Sequence, residues 1–184
     1  MEASTRKIRV FKLDEFNYPK FRSKILELYL HAFTTGEYAQ FIDPQKAEGM
    51  LDEMARKGTG VMAFINGSLS GVVLAFSLRH DQEFPSVKVP EVSLDKTLYI
   101  AEVIVHADHR GRGVATTMIS ELLSQAAKSY TDTVIRVWEM NVPALSLYKK
   151  MGFRPVASIL QTKLNARGEV FEMRKIYLHK PLVI

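Results

Sequence analysis

The sequence predicts an α/β domain in which a central mixed sheet of about seven strands carries helices on both faces. Three observations lead to this fold class. The chain has 184 residues, the length of one ordinary domain. Apolar residues make up 47% of it and charged residues 24%, as in a typical globular protein. Segments with strand patterning alternate with segments of helical period, in the order strand, two helices, three strands, helix, strand, helix and two strands.

The composition also excludes several functional classes. Because the chain has no cysteine, it forms no disulfide framework, holds no zinc or iron–sulfur cluster through cysteine and uses no cysteine nucleophile. The formal net charge of +5 favours phosphate-bearing partners in general, but it does not have the clustered pattern of a nucleic-acid binder. We therefore expect no nucleic-acid partner. No signal-peptide pattern follows Met1, so a cytoplasmic protein is expected.

The first third of the chain predicts a strand and two helices. Apolar residues in Ile8–Leu13 mark a short strand. The first helix begins at Pro19, because a first helical turn does not need the N–H group that proline lacks. The second helix begins after Asp43, which is placed to cap it, and ends near Gly58.

A β-hairpin follows, although hydropathy by itself suggests a membrane helix. Gly60–Leu78 is a run of nineteen residues without a charge, nominally long enough to span a bilayer. Asn66-Gly67 interrupts this run, and both residues of such a dipeptide readily adopt positive φ in a hairpin turn. Val61–Ile65 and Leu69–Leu78 are therefore predicted as paired strands, and no membrane association is expected.

The second half of the chain predicts a long loop, four strands and two helices. The loop covers residues 79–97 and has no clear period, and loops of this length are usually functional or mobile. One helix follows a turn that contains Gly111 and Gly113 and ends near Ala126. The other predicted elements are the strands Leu98–Val105 and Thr133–Trp138, the helix Pro143–Lys150 and the closing strands Ile159–Leu164 and Phe171–Leu178.

The segment Arg110-Gly-Arg-Gly113 stands between a buried strand and the start of a helix. The first N–H groups of a helix have no partner within it, its dipole adds partial positive charge, and glycines let a phosphate approach the backbone. The segment is therefore a candidate anion-binding turn, with a plain structural connection as the alternative. It lacks Gly-x-Gly-x-x-Gly and Gly-Lys-Ser/Thr, so neither a Rossmann dinucleotide site nor a P-loop is predicted.

Two sequence blocks resemble the GNAT N-acetyltransferase superfamily. Arg110-x-x-Gly113-x-Ala115 fits its Gln/Arg-x-x-Gly-x-Gly/Ala signature, and the preceding Val103-Ile-Val-His resembles its fourth strand. Downstream, Asn141-x-x-Ala144-x-x-Leu147-Tyr148-x-x-x-Gly152-Phe153 resembles its second conserved block. The likeness is tight over about residues 98–155, the expected acetyl-CoA-binding core of a single domain covering residues 1–184. Ala107 departs from the pattern, because many relatives have proline there.

The resemblance implies an acyl-CoA-dependent N-acyltransferase that moves an acetyl group from acetyl-CoA to an amine. In such proteins the turn amides hold the pyrophosphate, the fourth strand bonds the pantetheine arm, and strands four and five splay apart to admit that arm. The splay is expected between Glu102–Val105 and Arg136–Trp138. The cofactor-binding residues implied by the match are Val103, Ile104, Val105, Arg110, Gly111, Arg112, Gly113, Val114, Ala115, Thr116, Asn141 and Ala144. For Asn141, a helix cap before Pro143 is an equal alternative.

Two residues are candidates for the acid–base chemistry of the transfer. The attacking amine needs a base, the charge on the carbonyl oxygen needs a donor, and the leaving thiolate benefits from an acid. Tyr148 occupies the position of the family's usual general acid, or else packs an apolar helix face. Glu102 is the only charged residue in Leu98–Val105, and in many relatives a glutamate on this strand acts as base through water. The alternative for Glu102 is a structural ion pair with a residue such as Arg136.

The acceptor side is less defined by the sequence. Phe33, Tyr38 and Phe41 lie in the connection between the first two helices, which often walls the acceptor site in the resembling family. The locally acidic loop 79–97 either attracts a cationic amine or is merely solvated. His106 and His109 flank the glycine turn without an evident third ligand, so no metal is predicted. We expect a small-molecule or peptide amine as acceptor and a monomer or homodimer, with a non-catalytic acyl-CoA sensor as the alternative function.

Overall fold

Residues 7–183 are described by the computed structural model, and within them seven strands form one mixed sheet. Across the sheet the strands follow the order β1-β2-β3-β4-β5-β7-β6. All neighbouring strands are antiparallel except β4 and β5, which are parallel. The strands are β1 Arg9–Leu13, β2 Thr59–Ile65, β3 Ser68–Ser77, β4 Thr97–Val105, β5 Asp132–Trp138, β6 Arg154–Leu164 and β7 Val170–Pro181.

Four helices of the described chain cover the two faces of this sheet, which confirms the predicted fold class. They are α1 Tyr18–Thr34, α2 Pro44–Lys57, α3 Val114–Ala126 and α4 Val142–Lys150. On the face covered by α1 and α2, Ile25 and Leu51 are buried with Val72 of β3. On the opposite face, covered by α3 and α4, Ile119 is buried with Val73. Successive residues of β3 thus enter different cores, as the alternation of side chains along a strand requires. We call these surfaces the α1–α2 face and the α3–α4 face.

Local signals place the ends of several elements as predicted. The Asp43 carboxylate accepts a hydrogen bond from the Gln45 N–H at 2.9 Å and caps α2. At the turn between β2 and β3, Asn66 and Gly67 both have positive φ, so the chargeless run folds as a hairpin. Among the described residues, no helix is long and apolar enough to cross a membrane.

The long connection between β3 and β4 packs on the sheet and is part of the core. Phe84, Val89 and Val92 are buried on the α1–α2 face, together with Tyr99 of β4 and Tyr177 of β7. Burial of each such apolar side chain contributes about 1.5–3 kcal/mol. The connection therefore covers the part of this face that lies beyond the core formed with α1 and α2.

The pairing between the parallel strands β4 and β5 ends before the strands do. It runs from Thr97 opposite Asp132 to Ile100 opposite Ile135. A β-bulge at Ala101 follows, and residues 102–105 then pair with β3 alone. The backbone groups of this part of β4 that face β5 have no strand partner. The splay predicted beyond residue 101 of β4 is thus confirmed.

Candidate active site

The glycine turn between β4 and α3 presents backbone amides to open space. Gly111 and Gly113 have φ values of 70° and 79°, a region that residues with a Cβ rarely adopt. Nothing lies within 4 Å of the point where a Cβ would stand on either residue. The amides of residues 111–116 donate to no other group of the described chain, and the first helical bond is Thr117 N–H to Gly113 C=O at 3.0 Å. With the helix dipole, this turn fits a pyrophosphate.

Charged and aromatic side chains surround this turn. The Arg110 guanidinium Nε donates to the Val105 carbonyl at 3.3 Å and so ties the turn to the end of β4. The His106 ring stacks on His31 of α1, with centroids 5.8 Å apart, and lies 5.6 Å from the His109 ring. Within residues 7–183, no group of three or more His, Cys, Asp or Glu side chains is arranged to hold a metal ion.

The other predicted cofactor-binding residues lie on the same side of the sheet opening. Val103–Val105 form the unpaired edge of β4, and residues 110–116 form the turn and the first residues of α3. Asn141 and Ala144 lie at the start of α4, where the Asn141 Oδ1 accepts the Ala144 N–H at 3.3 Å. The side-chain oxygen of Asn141 therefore caps α4, as the alternative interpretation of this residue predicted. Its amide NH2 donates to no group in the described part of the chain.

Tyr148 lies on α4 and is buried in the core of the α3–α4 face. Its ring meets Phe153 edge-on, with centroids 6.3 Å apart. Burial raises the pKa of the Tyr148 hydroxyl, and the charge of Glu102 raises it further. Tyr148 therefore keeps its proton at neutral pH. Glu102 is close enough for its charge to act on this hydroxyl.

Glu102 follows the bulge of β4 and pairs in register with Leu74, so its side chain lies on the α1–α2 face. Burial raises its pKa from 4.5 to about 7, although the charges of Lys175 and Arg136 oppose this shift. Within residues 7–183, Glu102 makes no ion pair and no side-chain hydrogen bond.

The alternative of an ion pair between Glu102 and Arg136 is wrong, because Arg136 has other partners. Its guanidinium contacts the Glu83 carboxylate at 2.7 Å and that of Asp81 at 3.9 Å, and it donates to the Tyr177 hydroxyl at 3.1 Å. Glu83 and Asp81 belong to the long connection between β3 and β4. These two acidic residues are therefore used in pairing rather than merely solvated.

Aromatic side chains line the α1–α2 face near Glu102. The Phe33 ring packs against Tyr29 of α1, with centroids 4.7 Å apart, and burial together with the Glu102 charge raises the pKa of Tyr29. Tyr38 meets Trp138 of β5 edge-on at 4.8 Å. Tyr38 thus lies against the end of β5, and Phe33 lies beside Tyr29, on which the Glu102 charge acts.

The connection between α1 and α2 is held over the sheet by the turn between β6 and β7. The Phe41 N–H donates to the Leu164 carbonyl at 3.0 Å, and the Ala166 N–H donates to the Ala39 carbonyl at 3.1 Å. Phe41 itself is 64% exposed, so its ring is not brought into the cluster with Trp138. Sequence reasoning did not predict this link, because it joins residues more than 120 positions apart.

Sequence reasoning also missed Lys175 of β7. Lys175 lies opposite Trp138 in the strand register, and its charge acts on Glu102. Side chains alternate between faces along β7, and Met173 and Tyr177 are buried. This alternation could have predicted that Lys175, which lies between them, is on the same inward face.

A separate apolar groove of about 590 Å³ lies at the outer edge of the sheet, beside β1. Phe11, Phe21 and Phe64 are among its lining residues. None of the predicted site residues lines it, so the groove does not belong to the candidate active site.

The mixed sheet opens between its two parallel strands with an amide turn at the opening, an arrangement that can hold the phosphates and the extended arm of a coenzyme. Comparison with known proteins agrees: the sequence model of the acetyltransferase (GNAT) family matches residues 22–153. The chain therefore belongs to the GNAT acetyltransferase family.

Individual relatives are more distant. N-acetyltransferase family 8 member 2 of Rattus norvegicus is 32% identical over 98 residues, which are 53% of this chain and 39% of that protein. The chain thus spans about two fifths of the length of this curated relative. An N-acetyltransferase of Staphylococcus aureus Mu50 has the same fold, with a TM-score of 0.72, 16% identity and coverage of 96% of this chain and 99% of that chain. NAA60 of Arabidopsis thaliana in complex with acetyl-CoA gives a TM-score of 0.70 at 17% identity, covering 96% and 99%.

Proposed function

We propose that this protein transfers an acetyl group from acetyl-CoA to a primary amine of a small molecule or peptide by direct attack. The observation that supports this most is the opening between β4 and β5 beyond Ile100, which has the open amide turn at its edge. Glu102 lies on one face of the sheet at this opening, and Tyr148 is in the core of the other face. The fold similarity to NAA60 in complex with acetyl-CoA agrees with the same donor.

In this proposal the chain holds the donor mainly through its backbone. The amides of residues 111–116, with the exposed Arg110 and Arg112 beside them, bind the pyrophosphate. The unpaired edge of Val103–Val105 bonds the pantetheine arm as an added strand would, and the free Asn141 amide NH2 and Ala144 contact it at the start of α4. Bound acetyl-CoA supplies the acetyl group as a thioester.

Glu102 is the base that accepts a proton from the attacking amine, through a water molecule. A pKa of about 7 leaves its carboxylate ionised in a large fraction of molecules at neutral pH, and it still binds a proton readily. Because Glu102 has no ion-pair partner among the described residues, its lone pairs are available. The amine nitrogen then forms a bond to the carbonyl carbon.

Tyr148 is the acid that donates its proton to the departing thiolate as the carbon–sulfur bond breaks. The hydroxyl is protonated at neutral pH and so has a proton to give to the sulfur, although burial raises its pKa and makes it a weaker acid than an exposed tyrosine. The unpaired N–H groups on the open edge of β4 are donors for the charge that develops on the carbonyl oxygen.

Isothermal titration of the purified protein with acetyl-CoA, with NADH as the comparison, tests the donor site. Micromolar binding of acetyl-CoA without binding of NADH is expected, followed by thiol release when a panel of amines is added. Absence of acetyl-CoA binding would contradict the whole proposal. Binding without thiol release for any amine would instead leave the non-catalytic acyl-CoA sensor.

A further inference from the structure

We propose that the acceptor carries a carboxylate close to its amine, and that Lys175, assisted by Lys163, binds this carboxylate beside Glu102. The inference rests on the proposed function, because it names the substrate class of the same site. It follows from where the ammonium groups of these two lysines lie relative to Glu102 and to the aromatic pair Tyr38 and Trp138.

The strand register brings both lysines to the α1–α2 face. Lys175 of β7 lies opposite Trp138 of β5 and opposite Ile159 of β6. Tyr177, two residues along β7, is buried on the α1–α2 face, so Lys175 is on that face as well. Lys163 is four residues beyond Ile159 on β6 and therefore shares the face.

Neither lysine has an ion-pair partner in the part of the chain that the structure describes, whereas Arg136 on the same face has two. Both lysine side chains are partly buried. A partly buried ammonium without a counterion loses hydration that nothing replaces, which costs free energy. Burial and the charges of Arg136 and Lys163 lower the pKa of Lys175 to about 8 against the opposing charges of Glu102 and Glu83, so it is mostly cationic at pH 7. A ligand carboxylate would supply the missing counterion.

The residues around Lys175 limit the charge and polarity of the acceptor further. The two lysines, which have no ion-pair partner among the described residues, disfavour a polycationic acceptor, because like charges repel across a partly buried site. Trp138 lies opposite Lys175 in the strand register, and with the Tyr38 ring packed against it edge-on it offers an apolar wall. The combination fits a zwitterionic acceptor with an apolar side group, such as an apolar amino acid.

Glu102 and Lys175 are more than ion-pair distance apart, yet each affects the pKa of the other. An amine at Glu102 and a carboxylate at Lys175 would therefore be recognised together in one small molecule. Because Lys175 also acts on the pKa of Glu102, a fall in activity on replacing it does not by itself identify a binding role. A test must compare acceptors that differ only in the carboxylate.

Thiol release from acetyl-CoA at pH 7 is compared for phenylalanine against phenethylamine, and for leucine against 3-methylbutylamine. Each pair shares its side group and differs in the carboxylate, and because the two amines of a pair also differ in basicity, kcat/KM is calculated on the concentration of uncharged amine. We expect kcat/KM to be about tenfold higher or more for the carboxylate member of at least one pair, the size of one charge-assisted hydrogen bond. Lys175→Met should reduce this preference to about threefold or less, chiefly through KM, and Lys163→Met should reduce it partly.

Lys180→Met is the matched control, because Lys180 is on the same strand but on the α3–α4 face. It should leave the preference unchanged. If Lys175→Met acted only through the pKa of Glu102, it would lower kcat/KM equally for both members of a pair and would shift the pH profile. Equal rates for both members of every pair with the wild-type protein, or an unchanged preference in Lys175→Met, would overturn the inference.

Binding of the acetylated products gives a readout that does not need turnover. In the presence of CoA, calorimetry should give tighter binding of N-acetylphenylalanine than of N-acetylphenethylamine, and Lys175→Met should abolish the difference. If no amine gives thiol release, the proposed function fails, while this binding difference still supports the anion site. If wild-type protein binds both products equally or neither, the anion site is wrong even when thiol release is observed.

Discussion

The Arg136 guanidinium pairs with the Glu83 carboxylate at 2.7 Å, and this contact joins strand β5 to the connection between β3 and β4. The same guanidinium also faces Asp81 and the Tyr177 hydroxyl. Because Arg136 is occupied in this way, Glu102 is left without a cation in ion-pair contact among the described residues. The raised pKa of Glu102, and its proposed role as base, depend on this division of partners.

The pH dependence of turnover should report Glu102. The base must be ionised, so the wild-type kcat/KM should fall as the pH drops below about 7, the pKa of Glu102. Glu102→Gln should lower the rate above pH 7 and flatten this acidic limb, measured with the same amine because the amine also titrates. Glu91→Gln, at an exposed residue of the connection before β4, is the control that should leave the profile unchanged. An acidic limb that persists in Glu102→Gln would rule out Glu102 as the base.

The stability of the protein should depend on the same group. The pKa of Glu102 is raised in the folded state from 4.5 to about 7, so ionisation opposes folding and wild-type stability is lost as the pH rises through this window. Glu102→Gln has no charge to bury, and above pH 7 it should unfold with a free energy up to about 3 kcal/mol larger than the wild type. Below pH 4.5 the difference should vanish. Urea unfolding at pH 4.5 and pH 8 measures it, and an equal difference at both pH values would contradict the burial of this charge.

Tyr148→Phe tests the proposed acid. Loss of the hydroxyl should lower kcat by about a hundredfold or more and leave the KM for acetyl-CoA within about threefold, since general acid catalysis contributes at least that much. Tyr130→Phe provides the matched control, because Tyr130 packs at the edge of the same core. If kcat is unchanged in Tyr148→Phe, Tyr148 is a packing residue and the thiolate is protonated by another group.

Gly113→Ala should separate backbone strain from donor binding. Gly113 has a φ of 79°, and so does Gly168 in the turn between β6 and β7; a Cβ meets nothing within 4 Å at either position. Each alanine should therefore cost about 1–2 kcal/mol of stability through the left-handed conformation. Only Gly113→Ala should weaken acetyl-CoA binding in calorimetry, because its Cβ enters the space above the amide turn. Equal acetyl-CoA affinity in both variants would show that this turn does not hold the donor.

Phe84→Ala tests whether the connection between β3 and β4 is part of the core. Phe84 is 6% exposed and meets Tyr177 edge-on at 5.1 Å. Its removal should cost about 3–5 kcal/mol of unfolding free energy, as for other buried phenylalanines. Val87, in the same connection, is 93% exposed, and Val87→Ala should change stability by less than about 0.5 kcal/mol. Similar small losses for both would indicate a connection that is not packed in solution.

Local patterns in the sequence by themselves determined most of the fold and the outline of the site. The Asp43 cap, the Asn66-Gly67 turn and the two glycines before α3 act through neighbouring residues, so their conformations could be predicted without knowing the rest of the chain. The match of the two motif blocks to the GNAT family likewise rests on short segments, and the family model agrees.

The partners of charged residues were decided only by the tertiary structure. Arg136 could have paired with Glu102, but the fold brings Glu83 to it from 53 positions away. Lys175 faces Trp138 because β7 inserts between β5 and β6, an order that neither strand encodes locally. Ion pairing and burial depend on which groups lie within a few ångströms in space, and residues distant in sequence supply those groups. The proposed base and the proposed anion site therefore came from the fold as a whole.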